Sequence, residues 1–264
     1  MHKGKASQKT KPRVLIVIGV LSIGGGAERV AAALGNYLHD NGHETHLLTF
    51  YEYKNKYPYH GIYHSLNERP KTSRISKILN IPSRIWNIYR YAKQNHIDIA
   101  YSFLEEANFY TLTAKLLLFR SLPVVVSVRN NIRKRGKLFN FLAKVLYPYA
   151  KKVVSVTRAV EQILIDDLSL TNTTTIYNSL DMEMIEQKKK EPLSDEHKWL
   201  KERSPLLISI GRLTKQKGQW HLVRAFSEVV SKHPTATLIV LGEGEYRTKL
   251  QKLIKESSLE NNVF

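Results

Sequence analysis

Two cations and two glycines in the second half of the chain offer the clearest chemistry. Residues 208–225 read I-S-I-G-R-L-T-K-Q-K-G-Q-W-H-L-V-R-A, so Arg212 follows Gly211 and Lys217 precedes Gly218. The apolar run 206–210 has the character of a buried strand, and helical spacing resumes over 219–230. A strand end, two positive side chains, a glycine that lets the backbone approach and a fresh helix start together favour a phosphate. Open α/β sheets hold their ligands beyond the carboxyl ends of the strands, which is where this turn would lie. Taken alone, the same letters fit a solvated connection better than a binding site. The neighbouring segments must decide.

Those segments do. The pattern G-R-L-x-x-x-K-G-x-x-x-L-x-x-A is followed by an apolar strand at 237–241 and by Gly242-Glu243-Gly244. This resembles the start of the nucleotide-sugar half of retaining glycosyltransferases of the GT-B fold, glycosyltransferase family 4. The resemblance implies that Arg212 and Lys217 hold the donor diphosphate and offset the charge growing on the leaving nucleotide. It also implies that Gly211, Gly242 and Gly244 border the donor. In the first half, Gly24-Gly25-Gly26-Ala27-Glu28-Arg29 is similar to the segment that brings backbone towards donor phosphate and sugar, which places Gly25 and Gly26 in the site. Glu28 is read as supporting local structure.

The elements that would carry these groups follow from periodicity. Residues 13–21 form a β-branched apolar run, read as a fully buried parallel strand. Helical spacing over 27–41 ends at Gly42, and 44–50 is the next strand, which makes a βαβ unit and an α/β fold. Residues 51–67 are Tyr- and His-rich without a period and are read as loop with room for one short strand. His60 and His64 stand four apart, but Pro58 and Gly61 argue against a helix, so no metal ligand set is expected. A helical segment spans 73–95, kinked or split at Pro82. Strand and helix then alternate: 97–103, 105–118, 123–128, a basic stretch 132–152, 153–156 and 158–167.

Three acceptor-side candidates come from the strand ends of this half. S-F-L-x-x-A-N at 102–108 resembles a segment of bacterial transferases that extend polysaccharide repeat units, which makes Asn108 a candidate. V-S-V-R-N-N at 126–131 adds Arg129 and Asn130. Many relatives carry a histidine where Arg129 stands. An arginine stays charged at neutral pH and cannot act as a general base, so a substrate-holding role is expected instead. Glu105 and Glu106 sit where a helix dipole favours a carboxylate and are read as capping groups.

Composition sets the remaining bounds. The absence of cysteine excludes disulfides and thiolate zinc sites and suits a reducing compartment. The net charge is +18, and residues 71–158 hold 17 Lys and Arg against 3 Asp and Glu, while residues 159–264 hold 15 of each. Such a field draws an anionic surface, and the basic amphipathic stretch 132–152 points to phospholipid. Residues 1–12 are basic and polar and are expected to form a disordered tail rather than a signal peptide. No run is long enough to span a bilayer.

The fold expectation is therefore a GT-B type α/β chain: a complete Rossmann-like acceptor-side domain at 13–195 and an incomplete Rossmann-like nucleotide-sugar domain at 196–264. The activity implied by the resemblance is transfer of a hexose or N-acetylhexosamine from a nucleotide-diphosphate sugar, a UDP-sugar by preference, to a lipid-linked or cell-surface glycan. No cofactor and no metal are called for, and the location implied is cytoplasmic, peripheral on the inner face of the plasma membrane. The resemblance further implies that the E-x7-E segment of the second domain lies beyond Phe264, so that these 264 residues alone would turn over poorly and residues after Arg203 would be readily proteolysed. Two rivals stay open. Gly24-x-Gly26 and Glu52 suit an NAD(P)-dependent oxidoreductase, against which Arg29 occupies the third glycine position of G-x-G-x-x-G. The charge alone suits a nucleic-acid-binding module, which lacks any recognisable reading helix here.

Overall fold

A computed structural model describes residues 11–68 and 78–264. The tail expectation for 1–10 and the helix expectation for 73–77 lie outside the described residues. The chain divides into two compact units, 1–180 and 181–264.

The first unit is built on a parallel sheet. Its strands are β1 Val14–Ile18, β2 Thr45–Thr49, β3 Ile62–Ser65, β4 Ile99–Phe103, β5 Val124–Val128, β6 Lys152–Ser155 and β7 Thr173–Thr175. They lie in the order β3-β2-β1-β4-β5-β6-β7, every neighbouring pair parallel. The chain winds outward from β1 in one direction, then returns and builds the other half from β4. The switch point falls between β1 and β4, where the connections diverge and leave a crevice at the carboxyl edge.

Helices cover both faces. Ala27, Ala31 and Ala32 of α1 (Gly26–Asp40) pack with Val14, Ile16 and Ile18 on one side. The other side takes Leu15 and Val17 together with α2 (Ile81–Gln94), α3 (Glu105–Leu118), α4 (Lys137–Leu146) and α5 (Arg158–Leu168). Burial on both faces explains why β1 is apolar without alternation and fully enclosed. Pro82 sits in the first turn of α2, where its missing N–H costs nothing; residues 78–79 are helical and Asn80 is a turn, so the segment is split there rather than kinked. One short strand, β3, does occupy the Tyr- and His-rich region.

The second unit holds α6 (Met182–Lys189), a 3-10 turn at Asp195–Glu202, and the parallel pair β8 (Leu206–Ile210) and β9 (Thr237–Leu241). The contact boundary falls at 180/181, ahead of the 195/196 read from the sequence. Helix α7 (Gln219–Lys232) and α8 (Arg247–Glu256) pack through Val223, Phe226 and Leu250 on Leu238. Residues 262–264 add a further rung on β9, with Val240 N donating to Phe264 O at 2.7 Å. The opposite sheet face is open among the described residues: Leu206, Ile208, Ile210 and Leu241 are all exposed.

Candidate functional site

The turn after β8 is assembled by its neighbour. Gly211 N donates to Leu241 O at 2.9 Å, Leu213 N to Glu243 O at 2.9 Å, and Tyr246 N to Leu213 O at 3.0 Å. The two strand-end loops are thus stitched backbone to backbone. A Cβ on Gly242 would stand 2.0 Å from Gly211 O, and one on Gly244 2.3 Å from Leu213 O. Both positions demand glycine because protein backbone occupies the space, a reason that the expected donor contact does not need. Gly218 adopts the left-handed conformation, φ 67° and ψ 23°, and turns the chain into α7.

Arg212 and Lys217 are exposed on this frame. The Lys217 stem passes 3.7 Å from where a Cβ on Gly211 would lie, which brings its origin back to the end of β8. Gln219, 5% exposed, donates through Nε2 to Arg212 O at 3.1 Å and fixes the bend from inside. Among the described residues neither cation makes a hydrogen bond or ion pair. In the first turn of α7, His221 N donates to Gly218 O at 2.9 Å, while the N–H groups of Gln219 and Trp220 come before the helix's own acceptors. Fixed backbone carrying two unpaired cations suits a bound polyanion.

The crevice of the first unit is built differently. The loop after β1 is held by Gly24 N donating to Tyr57 Oη at 3.2 Å. The Glu28 carboxylate folds back against Gly25, where a Cβ would meet its Oε2 at 1.9 Å, whereas Gly26 faces open space. Of the two glycines expected at the site, Gly26 alone is open to an incoming group. After β4, Leu104 is forced to φ 68° and ψ 162°, a strained conformation for leucine that delivers the chain into α3. Glu105 then accepts from Asn130 Nδ2 at 2.9 Å and from Arg135 at 3.1 Å. Its carboxylate therefore ties the loop after β5 to the start of α3, beyond the capping role read from sequence.

Arg129 is half-buried. It donates to Ser127 Oγ at 3.4 Å and to Asn178 Oδ1, with its guanidinium carbon 5.8 Å from the Phe103 ring centre. Burial lowers its pKa from the ordinary value, while the charges of Tyr101 and Glu28 oppose that shift. It remains a cation, facing the carboxyl edge beside Glu28.

Asn108 requires a correction. It is fully buried, accepts from Ser102 Oγ at 2.8 Å and donates to Ser127 O at 3.1 Å and Tyr147 Oη at 3.4 Å. Its polar atoms join β4, β5 and the turn after α4, so it braces the crevice and has nothing to offer an acceptor. Glu52 is also engaged, receiving Lys56 Nζ at 2.6 Å and Tyr63 Oη at 2.7 Å. Among the described residues no cluster of three His, Asp or Glu side chains could hold a metal.

Comparison with known proteins agrees with this frame. Residues 24–184 match the family described as Glycosyltransferase Family 4, and residues 190–264 match Glycosyl transferases group 1. The chain belongs to glycosyltransferase family 4. Like other members of that family it has an α/β, GT-B fold. It is similar to an uncharacterized glycosyltransferase of Methanocaldococcus jannaschii, with 33% identity over 197 residues, 70% of this chain and 48% of that one. A Campylobacter jejuni relative is named as an N-acetylgalactosamine-N,N'-diacetylbacillosaminyl-diphospho-undecaprenol 4-alpha-N-acetylgalactosaminyltransferase. It is 29% identical over 260 residues, 93% of this chain and 67% of the relative. The Anabaena protein HepE, crystallised with UDP, superposes with a TM-score of 0.70 at 18% identity, over 96% of this chain and 68% of its own. The family 4 chain thus spans about half the length of the first of these relatives and about two thirds of the others.

Sequence reasoning missed Gln219, Leu104 and the bridging part played by Glu105. Gln219 had a faint signal, a polar residue at the start of an apolar helix face. Nothing in a leucine announces a positive φ.

Proposed function

We propose that this chain serves a retaining transfer of a hexose or N-acetylhexosamine from a nucleotide-diphosphate sugar to a hydroxyl of a lipid-linked or cell-surface glycan. One observation carries the reading: Arg212 and Lys217 stand exposed, and unpaired among the described residues, on a rigid turn beyond the carboxyl end of β8. As the sugar bond breaks, negative charge gathers on the departing diphosphate, and two preorganised cations stabilise that charge most where it is greatest. The new bond forms on the face the nucleotide leaves, so no protein nucleophile is needed. Gly26 and Arg129 serve the sugar and acceptor side, Arg129 as an orienting cation, with Asn130 set beside it by Glu105. HepE was crystallised with UDP, which supports a uridine donor. The Campylobacter relative's name includes a diphospho-undecaprenol, which supports a lipid-linked acceptor and work at the cytoplasmic face of the plasma membrane.

The rival dinucleotide reading loses its ribose acid, because Glu52 already serves Lys56 and Tyr63. Thermal denaturation with UDP, UDP-sugars and NAD tests the choice. The expected result is stabilisation by UDP that Arg212→Ala and Lys217→Ala abolish, with no response to NAD. Stabilisation by NAD in place of UDP refutes the proposal.

A further inference from the structure

The surface that the proposed reaction does not use is the outer face of α4. Its exposed positions run Lys137, Leu138, Phe141, Lys144 and Val145, spaced i, i+1, i+4, i+7, i+8. At about 100° per residue, Leu138, Phe141 and Val145 fall within an arc of about 60°, and both lysines flank the same side of that stripe. The apolar three are 72%, 62% and 45% exposed, while Phe139 and Ala143 of the same helix turn inward to the core. The inner face therefore already meets the needs of folding. Three large apolar side chains left together in water call for a partner.

The bare face of β8 and β9 is also apolar, but none of its side chains is charged. On α4 the lysines border the apolar stripe along one side, so that the ammonium groups can reach head groups while the stems lie along acyl chains. Lys134 adds a further exposed cation just before the helix. We infer that α4 is an interfacial helix that seats the first unit on an anionic phospholipid surface, with Leu138, Phe141 and Val145 entering the acyl boundary. A nucleic acid would use the lysines and have no place for the aliphatic stripe.

The helix is joined to the crevice. Arg135, two residues before α4, pairs with Glu105, which also holds Asn130. Seating α4 on a bilayer thus brings the Asn130 end of the crevice near the head groups, where a lipid-linked diphosphate would be presented. This deepens the acceptor class proposed above and rests on it for its purpose, but lipid binding itself is measured without any acceptor.

The test is co-sedimentation of the chain with vesicles of phosphatidylcholine alone and of phosphatidylcholine mixed equally with phosphatidylglycerol. Binding is expected to the anionic vesicles only, weakening as salt is raised. Leu138→Ser with Phe141→Ser should cut partitioning at least about ten-fold, at an unchanged melting temperature. Lys137→Glu with Lys144→Glu should do the same, whereas Lys188→Glu with Lys189→Glu, an equal charge change on α6, should leave most of the binding. Equal binding to neutral vesicles overturns the inference, as does loss through the lysine changes without loss through the apolar ones, the result a nucleic-acid surface would give. A chain that binds UDP and ignores vesicles refutes this surface and spares the proposed reaction; one that binds vesicles and ignores UDP does the reverse.

Discussion

The two units treat the cations of their strand-end loops in opposite ways. In the first, the arginines near the carboxyl edge are engaged within the fold: Arg84 with Glu68, Arg133 with Asp167, Arg135 with Glu105, and Arg129 with Ser127 and Asn178. In the second, Arg212 and Lys217 meet no carboxylate among the described residues, although Glu243 lies in the adjoining loop and pairs instead with Arg247. The contrast separates two uses of positive charge. Paired arginines define loop shape, whereas cations without a partner are free to serve the anionic donor proposed above. Surface cations are often solvated without purpose; the zipped backbone beneath this pair, more than its exposure, sets it apart.

The largest effect expected from breaking the contrast is at Arg84. It is 2% exposed and donates to both carboxylate oxygens of Glu68 and to Tyr51 Oη at 2.6 Å, with the Phe50 ring centre 4.8 Å away. Burial opposes its charge, but hydrogen bonding and attraction to Glu68 outweigh this and raise its pKa. Arg84→Ala leaves the half-buried Glu68 carboxylate with only the Asn80 hydrogen bond among the described residues and should destabilise the first unit by about 3 kcal/mol. Urea unfolding followed by tryptophan fluorescence reads this directly, because Trp86 reports the first unit and Trp199 and Trp220 the second. The second-unit signal should not move.

At Arg212 the expectation is the mirror image. Arg212→Ala or Lys217→Ala in the whole protein should lower kcat by about 100- to 1,000-fold, the usual loss when one preorganised donor to developing charge is removed. Melting should be unchanged, since neither side chain supports a neighbour. A stability loss in place of a rate loss would move these residues into the paired class. Asn108→Ala comes next. It orphans the Ser127 carbonyl and the Ser102 hydroxyl in the core, at about 2–4 kcal/mol of stability. If Asn108 instead served the acceptor, the change would raise KM and leave stability alone.

Much of this was legible in the letters. Strand β1, helix α7 and strand β9 follow from their periods because burial on two faces or on one leaves different patterns. The glycines at 242 and 244 were legible as special, but not the reason, since a close approach between two loops depends on a partner backbone 31 residues away. Asn108 misled for a related cause: a polar residue in a strand–helix junction reads the same whether it faces solvent or braces the strands beneath it. Family resemblance carried the pairing of Arg212 with Lys217, and the structure adds the Gln219 hydrogen bond and the Gly211 contact that fix their shared turn.

The smallest expected effect bears on the rival the comparison has to exclude. Glu52 has its pKa lowered chiefly by the hydrogen bond from Lys56, with burial opposing and Tyr63 assisting. A carboxylate held low in the folded state adds stability that is present above its unfolded pKa, about 4.3, and is lost as pH falls through the folded value. Glu52→Gln should therefore melt below the parent chain at neutral pH, and the gap should close in acid. Glu52 is 37% exposed, so solvent screening holds the difference under about 1 kcal/mol. A gap that is absent at neutral pH would mean that the Lys56 and Tyr63 contacts do not hold Glu52 in solution. Its carboxylate would then be free to meet a ribose, and the glycine-rich turn after β1 would again suit a dinucleotide as well as a sugar donor. A gap that is present and closes with acid leaves that turn without its acid partner.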